Sequence, residues 1–441
     1  MILQWSTFNI IERVKGGYVI RNMMTGAMVF LDSDTYQTLG DLIKDSEDLR
    51  IEDWGLNELV GSNSILVPSR KEELVEYKQM FFSTRESLPY FTLHLLPTIA
   101  CQMACSYCFE DGSNRMGIMS DSVLSQSIQW LDSYFSNHDL QRFKIVLFGG
   151  EPLLGKRLIR KALPKLFRLG KKHNLDCFTE LVSNGELLDE ETAKLLHEYS
   201  LIRVQITLDG DQDTHDSIRC GKDGRPTFNR IISNVLMLLE NNYIKAVDLR
   251  INYSEATAES VIKLLQFLST FKLQDRMNLS FGLIMPTQNS ISCDFLPAKE
   301  FQEKENAELY ISFCQEAQNL GFAVPVEYLT GPWCVAVEKH TVVLQPNGAI
   351  QKCICTVGRE EYDFSNTKVG PEAYARDERF EKFQRANQCY EERCPYIPVC
   401  SGGCPWDALV AYGENGFQMR FCQKEFLDIV NRGLLRLSYQ K

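Results

Sequence analysis

The stretch Tyr90–Glu110, YFTLHLLPTIACQMACSYCFE, runs from an apolar segment straight into three cysteines, Cys101, Cys105 and Cys108, spaced C-x3-C-x2-C. Three thiolates on one short loop can hold three corners of a cubic iron–sulfur cluster and leave its fourth iron without a protein ligand. Ordinary cluster ligation shows four cysteines, so a set of three points to a reactive centre rather than a plain electron carrier. Zinc loops pair one C-x2-4-C with a second pair downstream. Here the next cysteine is Cys177.

Outward from that loop, strand and helix patterns alternate from about residue 90 to 285. The expected strands are Phe91–Leu96, Phe143–Phe148, Phe178–Val182, Arg203–Leu208, Ala246–Asn252 and Asn278–Ile284, with helices such as Ser120–Tyr134, Glu190–Tyr199 and Phe228–Asn241 between them. Repeated βα units build a parallel sheet with right-handed crossovers. Chemistry on such sheets collects at the C-terminal strand ends, where the cysteine loop begins. The second strand ends in Phe148-Gly149-Gly150-Glu151-Pro152, the third in Ser183-Asn184-Gly185 and the fourth in Thr207-Leu208-Asp209-Gly210, with Arg219 a little beyond. Glycines let a backbone approach a ligand closely, and an arginine fork grips a carboxylate at two points.

Together these residues resemble the signature of the radical S-adenosylmethionine (radical SAM) superfamily. The resemblance implies an α/β fold with a partial (β/α)6 TIM-like barrel over 90–285 and a 4Fe–4S cluster on Cys101, Cys105 and Cys108. It further implies S-adenosylmethionine (SAM) chelated at the open iron. By the same resemblance Tyr107 lies near the adenine, Gly149, Gly150 and Glu151 hold the amino group, Ser183 and Thr207 add polar contacts at the barrel mouth, and Arg219 takes the carboxylate.

Residues 286–441 begin with a helical stretch, Lys299–Leu320, and then become cysteine-dense: Cys334, Cys353, Cys355, Cys389, Cys394, Cys400, Cys404 and Cys422. The spacings Cys334-x13-Gly348-x4-Cys353, Cys394-x5-Cys400 and Cys400-x3-Cys404 are similar to those of the SPASM domain. Cys389-x4-Cys394 departs from it, since the pattern has two intervening residues. The resemblance implies two auxiliary 4Fe–4S clusters, three clusters in all. Cys334, Cys353 and Cys404 would serve the first, with Cys355 as a candidate fourth ligand. Cys389, Cys394, Cys400 and Cys422 would serve the second. Zinc is the rival metal for thiolate sets of this kind.

Residues 1–89 read as short strands, Trp5–Ile11, Tyr18–Arg21 and Ala27–Leu31, then helices through about Ile43, near Glu52–Leu59 and at Lys71–Phe82, with a strand at Ile65–Val67. This small α+β pattern is winged-helix-like. Over residues 1–90 there are 9 Lys+Arg against 14 Asp+Glu, and DNA affinity rests on phosphate contacts, so the module is not read as a nucleic-acid binder. It resembles the leader-recognition elements of peptide-modifying enzymes, where a precursor peptide adds a strand to a sheet edge.

The chain has 441 residues, a net charge of −11 and 15 cysteines. No apolar run reaches membrane-spanning length and no signal-peptide pattern opens the chain, which together lead to an expectation of a cytoplasmic protein with metal sites rather than disulfides. The stretch Lys156–Lys172 holds eight basic residues and no acid. It reads as the wet face of an amphipathic helix, or as a docking patch for an acidic reductant. The resemblance implies the function of a peptide maturase: SAM is cleaved reductively to a 5′-deoxyadenosyl radical, and an oxidative thioether or carbon–carbon crosslink is installed in a ribosomally made precursor peptide, with a flavodoxin or ferredoxin as electron donor. The alternatives are an anaerobic sulfatase-maturing enzyme, disfavoured by Ile354 where that family carries an aspartate base, and a non-catalytic iron–sulfur carrier. Glu110, Asp111 and Glu327 lie near cysteine loops, and none is assigned as the base.

Overall fold

The computed structural model describes residues 3–45, 56–60, 63–108, 117–284, 304–325, 334, 336–371, 386–413, 416 and 419–439. Glu110, Asp111, Cys293 and Glu327 lie outside them, as do parts of the expected helices at Glu52–Leu59 and Lys299–Leu320.

The N-terminal region contains β1 (Gln4–Trp5), β2 (Asn9–Val14), β3 (Gly17–Asn22), β4 (Met28–Asp32), α1 (Ser33–Asp45), α2 (Leu56–Val60), β5 (Leu66–Val67) and α3 (Arg70–Ser87). Strands β2, β3 and β4 form an antiparallel sheet, and β1 pairs separately with β5. The single strand expected at Trp5–Ile11 is therefore two, in different sheets. The break has a long-range cause. Glu73, buried on α3, accepts from the Ser6 hydroxyl and from the Thr7 amide at 2.8 Å, and Ser6 Oγ in turn accepts from the Phe8 amide at 3.0 Å.

The central sheet begins with β6 (Tyr90–Leu95), β7 (Arg142–Leu147), β8 (Asp176–Ser183), β9 (Leu201–Leu208), β10 (Val247–Tyr253) and β11 (Met277–Leu283), all parallel and in sequential order. Between them run α4 (Asp121–Ser136), α5 (Lys156–Lys172), α6 (Glu190–Glu198), α7 (Gln212–Ile218), α8 (Phe228–Glu240) and α9 (Ala258–Ser269). Side chains alternate across each strand. Leu95, Leu147, Leu181 and Val204 stand in register across four strands and are fully buried in the main core. The opposite face is polar: Lys144 meets Glu180 at 3.6 Å and Arg203 meets Asp248 at 2.5 Å.

The C-terminal region has α10 (Lys304–Asn319), β12 (Thr341–Leu344), β13 (Ala349–Gln351), β14 (Ser365–Asn366), several short helices and a last helix, Lys424–Tyr439. Strand β12 adds parallel to β6, and β13 and β14 continue antiparallel, so the sheet has nine strands among the described residues. The sequence pattern did not suggest this extension, because a four-residue strand bordered by turns carries little periodicity. The last helix packs along α10 and against β2. There Arg432 donates to the Ile11 carbonyl and Arg436 reaches Glu12 at 2.6 Å.

Helix α5 buries Leu158, Ile159, Ala162, Leu163, Leu166 and Leu169, as an amphipathic helix should. Four of its eight bases pair with acids of α4 and of the α6 N-terminus. Lys161 pairs with Asp121, Lys172 with Asp132, Lys156 with Asp189 and Arg160 with Glu191, all at 2.6–2.7 Å. Among the described residues no helix is long and apolar enough to cross a membrane.

Candidate active site

The cysteine loop leaves the end of β6 and is held on two sides. On one, the Ala104 amide donates to the Cys220 carbonyl and the Lys222 amide to the Gln102 carbonyl, both at 2.9 Å, so the segment after Arg219 runs alongside the loop. On the other, the Glu151 amide donates to the Ala100 carbonyl at 2.9 Å. This contact requires glycine. A Cβ on Gly149 (φ +139°) would lie 2.3 Å from the Thr98 carbonyl oxygen, and one on Gly150 would lie 2.5 Å from that of Ala100.

Three side chains from beyond the loop converge on its Tyr107. Tyr107 donates its hydroxyl to Asp209 at 2.5 Å and accepts from Arg219 at 2.7 Å and from Asn252 at 2.8 Å. One donor and two acceptor sites are all a tyrosine hydroxyl offers. Asp209, at the end of β9, is fully buried, and Arg219 is nearly so. Burial raises the Asp209 carboxyl above its usual range, against the pull of Arg219. Burial alone would lower the Arg219 pKa; the neighbouring Tyr107, Cys105 and Asp209 reverse this and keep the guanidinium charged. Yet Asp209 Oδ1 and Arg219 Nε are both buried without a partner. Unpaired buried polar atoms are costly. One buried acceptor and one buried donor are thus left open, a chemistry that suits a ligand carrying both an acidic and a basic group.

Burial pushes the Cys101 thiol up to about 11 and also raises Cys105. A metal would displace these protons and supply the missing counter-charge. Asn184, at the end of β8, donates to Cys101 Sγ at 3.6 Å and accepts from Gln102 at 3.2 Å. Gln102 also reaches Glu186 at 2.9 Å, and Glu186 is held by Arg225. The residues and their glycine cradle therefore fit a three-thiolate cluster with an organic ligand on its open side.

The sequence-expected residues take up different positions. Glu151 does not face open space. Its carboxylate is fully buried and accepts from Ser183 Oγ at 2.9 and 3.0 Å and from the Asn184 and Leu153 amides at 2.9 Å each. Burial still pushes it up to about 7. Glu151 thus ties the ends of β7 and β8 together. Ser183 shares that task. Thr207 is half-buried on β9, and Asp209, two residues on, makes the bond to Tyr107. The sequence reading passed over Asp209, Asn184, Gln102 and Asn252. Asp209 lay inside the strand-end segment already singled out; nothing local marked Asn252.

The eight C-terminal cysteines separate into two groups of four. Cys334, Cys353, Cys355 and Cys404 share one apolar cluster with Trp406 and Leu409. Cys389, Cys394, Cys400 and Cys422 line one cavity with Tyr396, Ile397 and Arg420. The unusual four-residue gap after Cys389 is one helical turn and its cap. The Cys394 amide bonds the Cys389 carbonyl at 3.0 Å, the Arg393 amide bonds that of Tyr390 at 3.2 Å, and Arg393 has φ +51°. This is the Schellman arrangement, in which the first and last residues of the motif touch. Between Cys400 and Cys404, Ser401, Gly402 and Gly403 all have positive φ (+47°, +88°, +88°), which reverses the chain and sends the two cysteines to different groups. None of the described cysteines is in a disulfide, and among the described residues no three His, Cys, Asp or Glu side chains are placed to hold a single metal ion.

Parallel strands delivering a three-cysteine loop to a buried polar set define a class, and the comparisons agree. Residues 95–268 match the family model described as the Radical SAM superfamily, so the barrel is a radical SAM domain. Over 375 residues, 77% of this chain and 94% of the relative, it is 21% identical to a cysteine-type anaerobic sulfatase-maturating enzyme of Clostridium novyi. Among solved structures, anSMEcpe with bound AdoMet and a Kp18Cys peptide superposes at TM-score 0.62, 20% identity, over 79% of this chain and 100% of that one. SuiB of Streptococcus suis bound to S-adenosylmethionine superposes at TM-score 0.50, 16% identity, over 95% and 98%. These likenesses establish a shared fold.

Proposed function

We propose that this chain is a radical SAM peptide maturase that installs an oxidative crosslink, thioether or carbon–carbon, in a ribosomally made precursor peptide. The observation that carries the reading is the pair of unpartnered buried atoms, Asp209 Oδ1 and Arg219 Nε, on two residues that both bond to Tyr107 of the three-cysteine loop. A 4Fe–4S cluster with SAM at its open iron supplies, when bound, a one-electron cleavage that generates a carbon radical able to take a hydrogen atom from substrate. Cys101, Cys105 and Cys108 would hold that cluster. Arg219 and Asp209 would orient SAM, Tyr107 fixing both through one hydroxyl, and Asn184 would hold Cys101 in place.

Two auxiliary 4Fe–4S clusters, on the two groups of four C-terminal cysteines, would carry away the electron released when the product is oxidised. Sets of four thiolates suit that role. A flavodoxin or ferredoxin would be the external reductant. The N-terminal sheet would bind the precursor's leader: β4 pairs with β3 on one side, and its Met28 and Phe30 are exposed. A Met28→Glu change should weaken peptide binding and spare uncoupled SAM cleavage; unchanged peptide affinity would leave the module without that role.

Likeness to the sulfatase-maturating relative favours formylglycine formation as a second reading, and Ile354 at the position of the expected base counts against it. The deciding experiment is anaerobic reconstitution, reduction and assay for 5′-deoxyadenosine with SAM. Its absence would reduce the protein to an iron–sulfur carrier. Product mass then separates a crosslink, a loss of about two hydrogens, from conversion of a cysteine to an aldehyde, which also exchanges sulfur for oxygen; conversion of a serine loses the same two hydrogens and is told apart by trapping its carbonyl with a hydrazine.

A further inference from the structure

The cavity ringed by Cys389, Cys394, Cys400 and Cys422 is also lined by two cationic residues, Arg420 and Lys424. Arg420 Nη1 lies 3.9 Å from Cys389 Sγ, as an N–H···S donor, and 2.7 Å from Glu392 Oε2. Arg420 is mostly shielded and Glu392 more exposed, so the carboxylate steadies the guanidinium from the solvent side while the guanidinium faces the sulfur. The cavity also meets the first turn of the sixteen-residue helix Lys424–Tyr439 through Gln423 and Lys424. A helix N-terminus carries a partial positive charge. Three positive contributions therefore converge on one set of thiolates.

One-electron reduction of a cube held by four thiolates adds negative charge in a poorly solvated site. Nearby cations and N–H···S bonds stabilise the reduced form and raise the potential. We propose that Arg420 sets the reduction potential of the cluster held by Cys389, Cys394, Cys400 and Cys422, raising it so that this cluster accepts the electron released by substrate oxidation. This rests on the auxiliary-cluster reading given above. Arg420 is a positioning and tuning residue that acts through Cys389; Glu392 opposes it in charge while holding it in place.

The test is an anaerobic redox titration of the full-length, iron-loaded protein, followed by electron paramagnetic resonance, with iron counted for each variant. Arg420→Gln should lower the midpoint of one auxiliary signal and leave the others in place. Glu392→Gln, which removes a negative charge at the same place, should raise the same midpoint. Opposite shifts are not what general loosening of the fold would produce. Midpoints unmoved at wild-type iron content, or moved in the same direction by both changes, would overturn the inference. If Arg420→Gln binds fewer irons, Arg420→Lys decides: a wild-type midpoint supports a charge effect, and a lowered one with full iron overturns it. Cys400→Ser checks the underlying reading separately. If it costs no iron, there is no cluster at these cysteines, and both the reading and the inference fall.

Discussion

At the mouth of the parallel sheet three cysteines occupy one eight-residue loop, and the groups that meet this loop are oxygens and nitrogens from strand ends and from the end of α7: Asn184 on Cys101, and Asp209, Arg219 and Asn252 on Tyr107. In the C-terminal region eight cysteines from distant segments gather as two groups of four among apolar and aromatic side chains. The first arrangement leaves a corner for an organic ligand and supplies polar atoms to meet it. The second supplies sulfur for every corner. The difference lies less in the number of cysteines than in what surrounds them, because buried polar atoms without partners call for a ligand.

The comparison is broken most decisively by Cys105→Ser. It should abolish SAM cleavage and remove about four irons per chain, leaving about eight in the two C-terminal groups. Any surviving deoxyadenosine formation would place the reactive centre elsewhere. Next comes Asp209→Asn, which keeps the shape and removes the charge facing buried Arg219. A lost hydrogen bond to a charged ligand group costs about 1.5–3 kcal/mol, so SAM affinity should fall by roughly 10- to 100-fold by calorimetric titration. A change in melting temperature with unaltered affinity would make Asp209–Arg219 a purely structural pair.

Gly403→Ala tests the other side. Gly403 has φ +88°, and a Cβ there would lie 2.1 Å from the Phe421 carbonyl oxygen. Because this turn sends Cys400 and Cys404 to different groups, iron should fall toward about four per chain, while SAM cleavage persists. Retention of about twelve irons would show that the turn is not needed to separate the groups.

The smallest effect is on pH stability. His94, on β6, is buried, and burial together with nearby Lys144 lowers its pKa to about 4. The unfolded chain takes up the proton near 6.5, the folded chain only near 4. His94 therefore costs nothing above pH 6.5 and destabilises the fold as pH drops toward 4. From pH 7 to 5 the wild type should lose about 2 kcal/mol more stability than a non-titrating His94→Gln variant. Equal losses, measured by denaturant unfolding, would mean that His94 is solvated or protonated in the fold.

The N-terminal module belongs to this comparison too. Phe8, Ile10, Val19, Met23, Tyr77 and Phe81 share one apolar cluster with Cys389, Cys394, Tyr396 and Ile397. The Tyr77 hydroxyl reaches the Ile397 carbonyl at 3.4 Å. The module is thus built against the wall of the second cysteine group. Its removal would unsettle that wall, which is why a single edge substitution tests its binding role more cleanly than a deletion.

What could be read from the chain alone was what is encoded locally. The C-x3-C-x2-C loop, the order of six parallel strands and the glycines after β7 follow from spacing and periodicity within short windows. Helix α5 was legible for the same reason, since its apolar stripe repeats along one segment. Partnerships across tens or hundreds of residues were not legible. Only the tertiary structure split Trp5–Ile11 at a buried Glu73, added β12 beside β6 and turned Glu151 inward to tie two strand ends. It also brought Asn252 to Tyr107 and sorted eight cysteines into two groups. Local sequence determines which conformations a segment can hold at low cost; which polar groups meet is decided by burial, since only in the packed interior must each one find a partner.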